Sequence, residues 1–434
     1  MDHFLYRNGH LFAEDVAVQE IAGCHGTPLY VYATATLNRH FSVFREAFEP
    51  LEPLICYAVK ANGNLAVTTT LARFGAGADV VSEGELAIAL AAGVPADRIV
   101  FSGVGKTDQE LKAALEAGIL QINVESEPEL EALSRIAQSM NTTARIAIRI
   151  NPDVDALTHE KISTGLNEAK FGIEWTAAHR VYAHASRLPG IQPVGLAVHI
   201  GSQLTDTAPF EQAFLRLRDL VAMLRADGHH IITLDLGGGL GVPYGNEAVS
   251  IPSPRAYAEV IRRTLAHLDC RLILEPGRLI VGNAGLLVTR VLYVKEGATR
   301  TFVIVDAGMN DLMRPAIYDA YHAILPVAEP TPNAPLAPVD VVGPVCETSD
   351  CFAAGRSLPP LARGDLLAIK TAGAYGAAMG SFYNARPLCA EVIVSGHEFA
   401  LVRHRIGWEH MRAFQRLPEW LTNEENASVP LKNP

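Results

Sequence analysis

The sequence predicts an α/β protein: a (β/α)8 barrel of the TIM type plus a second, mostly β domain, sandwich- or barrel-like. Two observations carry this reading. Eight short apolar runs alternate with longer amphipathic stretches between about residue 54 and residue 280, and the alternation stops after residue 285. Continuous apolar strands alternating with helices point to a parallel sheet buried on both faces. Eight such units over roughly 230 residues is the size of a closed barrel, and the count favours it over an open doubly wound sheet.

Taken in order, residues 1–37 contain a strand-like run at Leu29–Tyr32 and are assigned to the β domain. The barrel is assigned to 38–284. Its eight runs are Leu54–Val59, Ala78–Val81, Arg98–Ser102, Ile119–Val124, Ala144–Ile150, Val194–Ile200, Ile231–Leu236 and Arg271–Glu275. Gly84–Ala92, Asp108–Ala117 and Glu127–Ser139 between them carry helical patterns. In 285–434, Leu287–Val294, Thr301–Asp306, Leu366–Lys370 and Glu391–Ser395 read as strands. The proline-rich stretch Leu325–Pro338 reads as an extended surface connection, and the polar tail from about Leu421 is expected to fray.

Composition narrows the function. With a net charge of -11, neither nucleic acid nor an anionic membrane is the expected partner. No apolar run reaches the roughly 18 residues needed to span a bilayer, and Met1-Asp2-His3-Phe4 does not open a secretory signal. Six cysteines (24, 56, 270, 346, 351 and 389) show neither a CxxC pair nor a metal-ligand spacing. They read as reduced thiols of a cytoplasmic protein, and no metal is expected.

In such a barrel the reactive residues lie at the C-terminal ends of the strands. Those ends carry Lys60, Asp79 to Ser82, Ser102, Asn123, Arg149 with Asn151, His199, Gly237–Gly239 and Glu275. Lys60 could snorkel to the surface, or it could be a Schiff-base lysine made nucleophilic by partial desolvation. The segment Leu234-Asp-Leu-Gly-Gly-Gly-Leu-Gly241 fails the GxGxxG pattern of a dinucleotide site. Gly237, Gly238 and Gly239 could present N–H groups to a phosphate, or simply make a tight turn. Glu275 could pair with Arg278 and do nothing else, or it could keep a cofactor's pyridine nitrogen protonated. His199 could be a core histidine or could stack on a flat ring. An amine, a phosphate cradle and a carboxylate on strands one, seven and eight together match what pyridoxal phosphate requires.

With those residues stand other motifs: Tyr57-Ala-Val-Lys-Ala-Asn62, Gly84-Glu-Leu86, His199-Ile-Gly-Ser-Gln203, Glu275-Pro-Gly-Arg278, Asp306-Ala-Gly-Met-Asn-Asp311, Arg314-Pro315, Tyr318-Asp-Ala-Tyr-His322, Gly343-Pro-Val-Cys-Glu347 and Gly373-Ala-Tyr-Gly376. In this order and over nearly the whole chain, the sequence resembles the diaminopimelate decarboxylases, which are alanine-racemase-like, fold type III pyridoxal-phosphate enzymes. The resemblance implies a barrel plus β domain and loss of carbon dioxide from meso-diaminopimelate to give lysine. It makes Lys60 the Schiff-base lysine, stacks His199 on the cofactor ring, pairs Glu275 with the ring nitrogen, and counts Asp79 among the cofactor's neighbours. Ser202, Gly239, Gly277, Arg278 and Tyr375 would surround the phosphate or the adjoining end of the substrate. Arg278, Arg314 and Tyr318 would hold the distal carboxylate and Glu347 the distal ammonium. Cys346 would donate a proton from the neighbouring subunit of a homodimer with shared active sites.

Two departures from the family pattern are Glu83, where a glycine is usual, and the loop Met379-Gly-Ser-Phe-Tyr-Asn384. Other readings are a related decarboxylase of ornithine, lysine or a carrier-tethered amino acid, a racemase, and a non-catalytic homologue that binds a partner enzyme. The pair Arg278 and Arg314 argues against the basic substrates. No second base facing Lys60 is apparent for a racemase, and Lys60, Glu275 and Cys346 together argue against a non-catalytic protein.

Overall fold

The computed structural model describes residues 2–155, 170–245 and 251–421; the polar tail beyond Leu421 lies outside them. Its centre is a closed ring of eight parallel strands: β1 (Leu54–Ala58), β2 (Gly77–Val80), β3 (Ile99–Phe101), β4 (Gln121–Val124), β5 (Ala144–Asn151), β6 (Ile191–Ala197), β7 (Thr233–Asp235) and β8 (Arg271–Leu274). Each pairs with the next, and β8 closes on β1 with Ile273 opposite Leu54 and Leu274 opposite Ile55. All of β1–β4 is buried, as strands covered on both faces must be.

The helices between the strands start where the chain offers a side-chain oxygen to unpaired N–H groups. Asn64 caps Leu65–Arg73, Ser82 caps Glu83–Ala91, and Ser126 caps Glu127–Ser139. Thr107 and Glu110 form a reciprocal capping box on Asp108–Ala117. Each cap is worth about 1 kcal/mol. Glu83, one departure from the family pattern, sits in the first turn of its helix, where the dipole favours an anion. Its carboxylate accepts from Gln109 Nε2 at 2.9 Å, and Glu83 does not line the cavity described below.

The β domain gathers β9 (Gly285–Glu296), β10 (Thr301–Val305), β11 (Ile324–Pro326), β12 (Ala337–Val342), β13 (Cys351–Leu358), β14 (Leu366–Ile369), β15 (Ala390–Ser395) and β16 (Glu398–Arg403). The early strand Leu29–Ala33 lies inside this sheet, antiparallel to β9 and parallel to β15. A small antiparallel meander built from Phe4–Arg7, His10–Ala13 and Val16–Ala17 covers one face. There Phe4, Leu11 and Val16 share a core with Val31, Val288 and Val392. The proline-rich stretch is not all connection. Its ends enter the sheet in β11 and β12, and only the middle, around Ala328 to Leu336, runs as exposed or half-exposed loop. Among the described residues no helix is long and apolar enough to cross a membrane.

Candidate active site

The chain leaves the barrel strands at one end of the ring, and the polar residues that follow them line a cavity of about 700 Å³. Lys60, His199, Ser202, Asp235, Glu275, Arg278, Arg314, Tyr318 and Tyr375 all face it. Arg314 and Tyr318 come from a short helix of the β domain, Arg314–Tyr318, so both domains build the site.

Lys60 stands just past β1, in the 3-10 turn Val59–Ala61, and its Nζ donates to Asp79 on the neighbouring β2. Burial works against the ammonium, but the charges of Asp79 and then Glu275 outweigh it and hold Lys60 above its ordinary range. Asp79 is wholly buried, and its other oxygen has no hydrogen-bond partner among the described residues.

Glu275, at the end of β8, shares a buried polar network with three other strands. Ser102 donates to it at 3.4 Å, and Asn123 donates to Ser102 at 3.0 Å and to Asp235 at 2.8 Å. Burial raises both carboxyls. The charge of Asp235 adds to this and pushes Glu275 well above the usual carboxylate range. Two buried carboxyls in contact cannot both ionise. Asp235 escaped sequence reasoning, although a lone carboxylate inside the apolar run Ile231–Leu236 is a signal.

Gly238 N–H donates to Nδ1 of His199 at 3.2 Å, which assigns the imidazole proton to Nε2. Burial first, then the positive charges of Arg149 and Lys60, keep His199 neutral. The glycine loop does two jobs. Gly237 N–H is taken by Asp235 at 3.1 Å and Gly238 N–H by His199, which leaves Gly239 as the one of the three with no acceptor among the described residues. A Cβ on Gly239 would lie 2.3 Å from the carbonyl oxygen of Gly201, and its φ of +109° suits glycine alone. Beside it, a second recess is lined by Ser202, Gly239, Gly277, Arg278 and Tyr375. With its free N–H and a guanidinium, this recess has the donors an anion such as a phosphate needs.

Three arginines face the cavity. Arg149 is bound to Glu125 at 2.8 Å and has no charge to spare. Arg278 and Arg314 have no carboxylate partner among the described residues. Arg278 donates to the Tyr244 hydroxyl at 2.5 Å and lies 4.8 Å from the Tyr375 ring centroid. Arg314 lies 4.5 Å from the Tyr244 centroid and meets His322 at 2.8 Å. Neither Tyr244 nor His322, although the latter closes the motif Tyr318–His322, was given a role from the sequence, because their part depends on packing between segments far apart in the chain.

Cys346 and Glu347 are not in this cavity. Both are exposed: Cys346 N–H donates to Asn384 at 2.9 Å, and Glu347 accepts from Ser349 at 2.8 Å and from Tyr383. The departing loop joins the two places, since Met379 lines the cavity while Asn384 holds Cys346.

Residues 34–282 match the family described as pyridoxal-dependent decarboxylase, pyridoxal binding domain. The diaminopimelate decarboxylase of Zymomonas mobilis is 48% identical over 421 residues, covering 96% of this chain and 99% of that one. The crystal structure of diaminopimelate decarboxylase from M. jannaschi superposes with a TM-score of 0.92 at 39% identity, covering 97% of this chain and 99% of that chain. That of the Helicobacter pylori enzyme complexed with L-lysine gives a TM-score of 0.87 at 44% identity, covering 91% and 98%.

Proposed function

Because the chain belongs to the diaminopimelate decarboxylases, within the pyridoxal-dependent decarboxylases, we propose that it converts meso-2,6-diaminopimelate to L-lysine and carbon dioxide. The observation that carries the substrate choice is the pair of buried guanidiniums, Arg278 and Arg314, facing the Lys60 cavity with no carboxylate of their own. A distal carboxylate satisfies them; the ammonium end of lysine or ornithine does not.

The residues present fit pyridoxal phosphate. Lys60 Nζ would bind its aldehyde, and Gly239, Gly277 and Ser202 its phosphate, with Gly237 and Gly238 shaping that loop and Arg278 standing where the phosphate recess adjoins the substrate cavity. His199 would cover its ring, Glu275 would meet its ring nitrogen, and Asp79 and Tyr375 would flank it. Bound there, the cofactor supplies an electron-poor ring that draws in the electron pair of the breaking carbon–carbon bond.

The protein's own part is positioning and proton handling. Asp79 accepts from Lys60 Nζ and keeps the amine directed between β1 and β2. Glu275, raised by burial and by Asp235, is suited to share a proton with a basic ring nitrogen. His199, neutral, adds no charge beside the arginines. Arg278, Arg314 and Tyr318 anchor the far carboxylate, which holds the amino acid's reacting end toward Lys60. Exposed in its own chain, Cys346 of the partner subunit would return a proton to the carbon that lost the carboxylate, and Glu347 of the partner subunit would meet the distal ammonium. The protein is accordingly a homodimer with shared active sites. We assign the cofactor-holding unit to residues 38–284 and the unit that supplies substrate and partner contacts to 1–37 with 285–434. Its six free cysteines suit the cytoplasm.

The test is carbon dioxide release by the purified, cofactor-loaded protein from a panel of amino acids. Diaminopimelate should be turned over and lysine and ornithine hardly at all. Equal turnover of all three would defeat the assignment.

A further inference from the structure

We propose that His322 is a positioning residue: it aims Arg314 at the substrate's distal carboxylate without neutralising the guanidinium, and so sets the preference for substrates that end in a carboxylate. This rests on the substrate reading given above.

His322 is 0% exposed and does not line the cavity; it stands behind Arg314. Its Nδ1 lies 2.8 Å from the carbonyl oxygen of Lys370, which can only accept, so Nδ1 carries the proton. The lone pair is therefore on Nε2, 2.8 Å from Arg314 Nη1, and a guanidinium can only donate. Two partners of fixed role thus fix the tautomer. Burial, with the charge of Arg314 next, keeps the imidazole neutral down to about pH 3. The ring also meets Tyr244 edge-on at 5.1 Å, and the backbone carbonyl of His322 accepts from Arg356 at 2.9 Å. The acceptor is therefore held from both sides.

What matters is that the acceptor is uncharged. A carboxylate in the same place would hold Arg314 at least as firmly, through a charge-assisted bond, but would spend the charge that the substrate needs. The same cavity shows that alternative in Arg149, which is held by Glu125. Arg314 has instead a neutral imidazole and the face of Tyr244. Burial pulls its guanidinium down to about 10, which still leaves it charged at neutral pH. The site therefore keeps an oriented but unspent cation for the ligand.

Three variants separate orientation from charge and from simple filling of space. In His322→Gln the amide oxygen can replace Nε2 as a neutral acceptor. His322→Phe keeps a flat ring without the acceptor, and His322→Glu supplies an acceptor with a negative charge. Each is loaded with pyridoxal phosphate, checked by absorbance and thermal unfolding, and assayed with diaminopimelate and with lysine. Gln should stay within a few-fold of wild type. Phe should raise KM for diaminopimelate roughly tenfold or more, with a much smaller change in kcat, and lower the preference over lysine by the same factor. Glu should raise KM and erode the preference in the same way despite keeping an acceptor. If Phe does not fold, the contrast between Gln and Glu decides. Wild-type KM and preference in Phe or Glu would overturn the role of His322 while leaving the substrate assignment standing. Wild-type protein that turns over lysine as well as diaminopimelate would overturn the substrate assignment itself, and this proposal with it.

Discussion

Lys60 and Asp79 form an ion pair across adjacent barrel strands in which the two partners are unequal: the lysine opens toward the cavity, while the aspartate is wholly buried. Lys60→Ala leaves that carboxylate with no cation. The variant should fold, less stably by about 1–3 kcal/mol, the cost of an unsatisfied buried polar group. It should also show none of the visible absorbance, and no borohydride-reducible linkage, of lysine-bound pyridoxal phosphate. A reducible linkage at full occupancy would assign the attachment to another lysine.

The glycine loop makes a separate prediction. Gly239→Ala adds a Cβ that meets the Gly201 carbonyl oxygen and strains a positive φ. Each such strain costs about 1–3 kcal/mol, so the loop should shift and loosen its hold on the phosphate. Cofactor retained after dialysis, read by absorbance, should fall at least several-fold. Retention equal to wild type would mean that the phosphate is held elsewhere.

Arg314→Ala should lower kcat/KM for diaminopimelate by roughly 10²-fold or more, as truncation of one partner in a desolvated charge pair does. Sites that hydrogen-bond a substrate group commonly reject analogues lacking it by about 10⁴-fold, and this variant should narrow that gap against lysine. Parallel losses on both substrates would point to a general packing role instead.

Glu85 should make stability depend on pH. Burial, opposed by its bond from Val81 N–H and reinforced by the charge of Asp79, pushes this carboxyl up to about 7. The folded protein then binds a proton that the unfolded chain has already released between the ordinary glutamate range and pH 7. Stability from this group is therefore present at low pH and lost as pH rises to about 7. Glu85→Gln should flatten that part of the melting-temperature profile and gain stability, relative to wild type, above pH 7. An unchanged profile would show that Glu85 titrates elsewhere.

Subunit sharing can be read by complementation. Equal amounts of Lys60→Ala and Cys346→Ala proteins, dissociated and remixed at random, give hybrids in half of the dimers. Each hybrid has one doubly defective site and one intact site, so activity should approach about a quarter of wild type. Demonstrated exchange with no gain over the parents would mean that both residues serve a site within one chain.

The barrel was legible because a strand buried on both faces must be apolar throughout, and each of the eight runs overlaps one observed strand, the sixth out of step by three residues at either end. Lys60 and Glu275 were legible for the same reason: polar residues stand out where such runs end. Other parts were not. The run at Leu29–Tyr32 was read as part of the β domain, but its interior position, between β9 and β15, is set by partners far along the chain. The meander at Phe4–Ala17 went unnoticed because its strands are only two to four residues long. Tyr244 and His322 acquire their parts only when a loop after β7 meets the β domain around Arg314. Nor does a run of three glycines disclose that two of its amides are already committed to Asp235 and His199.

The pairing of Tyr32 with Gly285 has a consequence for how such a molecule could arise and be taken apart. These residues stand side by side in the ladder, one shortly before the barrel begins and the other just after it ends. The barrel is thus an insertion whose two junctions are neighbours, carried by the β domain as a loop would be. A short turn joining the strand Leu29–Ala33 to β9 would close the sheet without it. A cut between Ala33 and the barrel instead strips the sheet of an interior strand, paired on one side with β9 and on the other with β15.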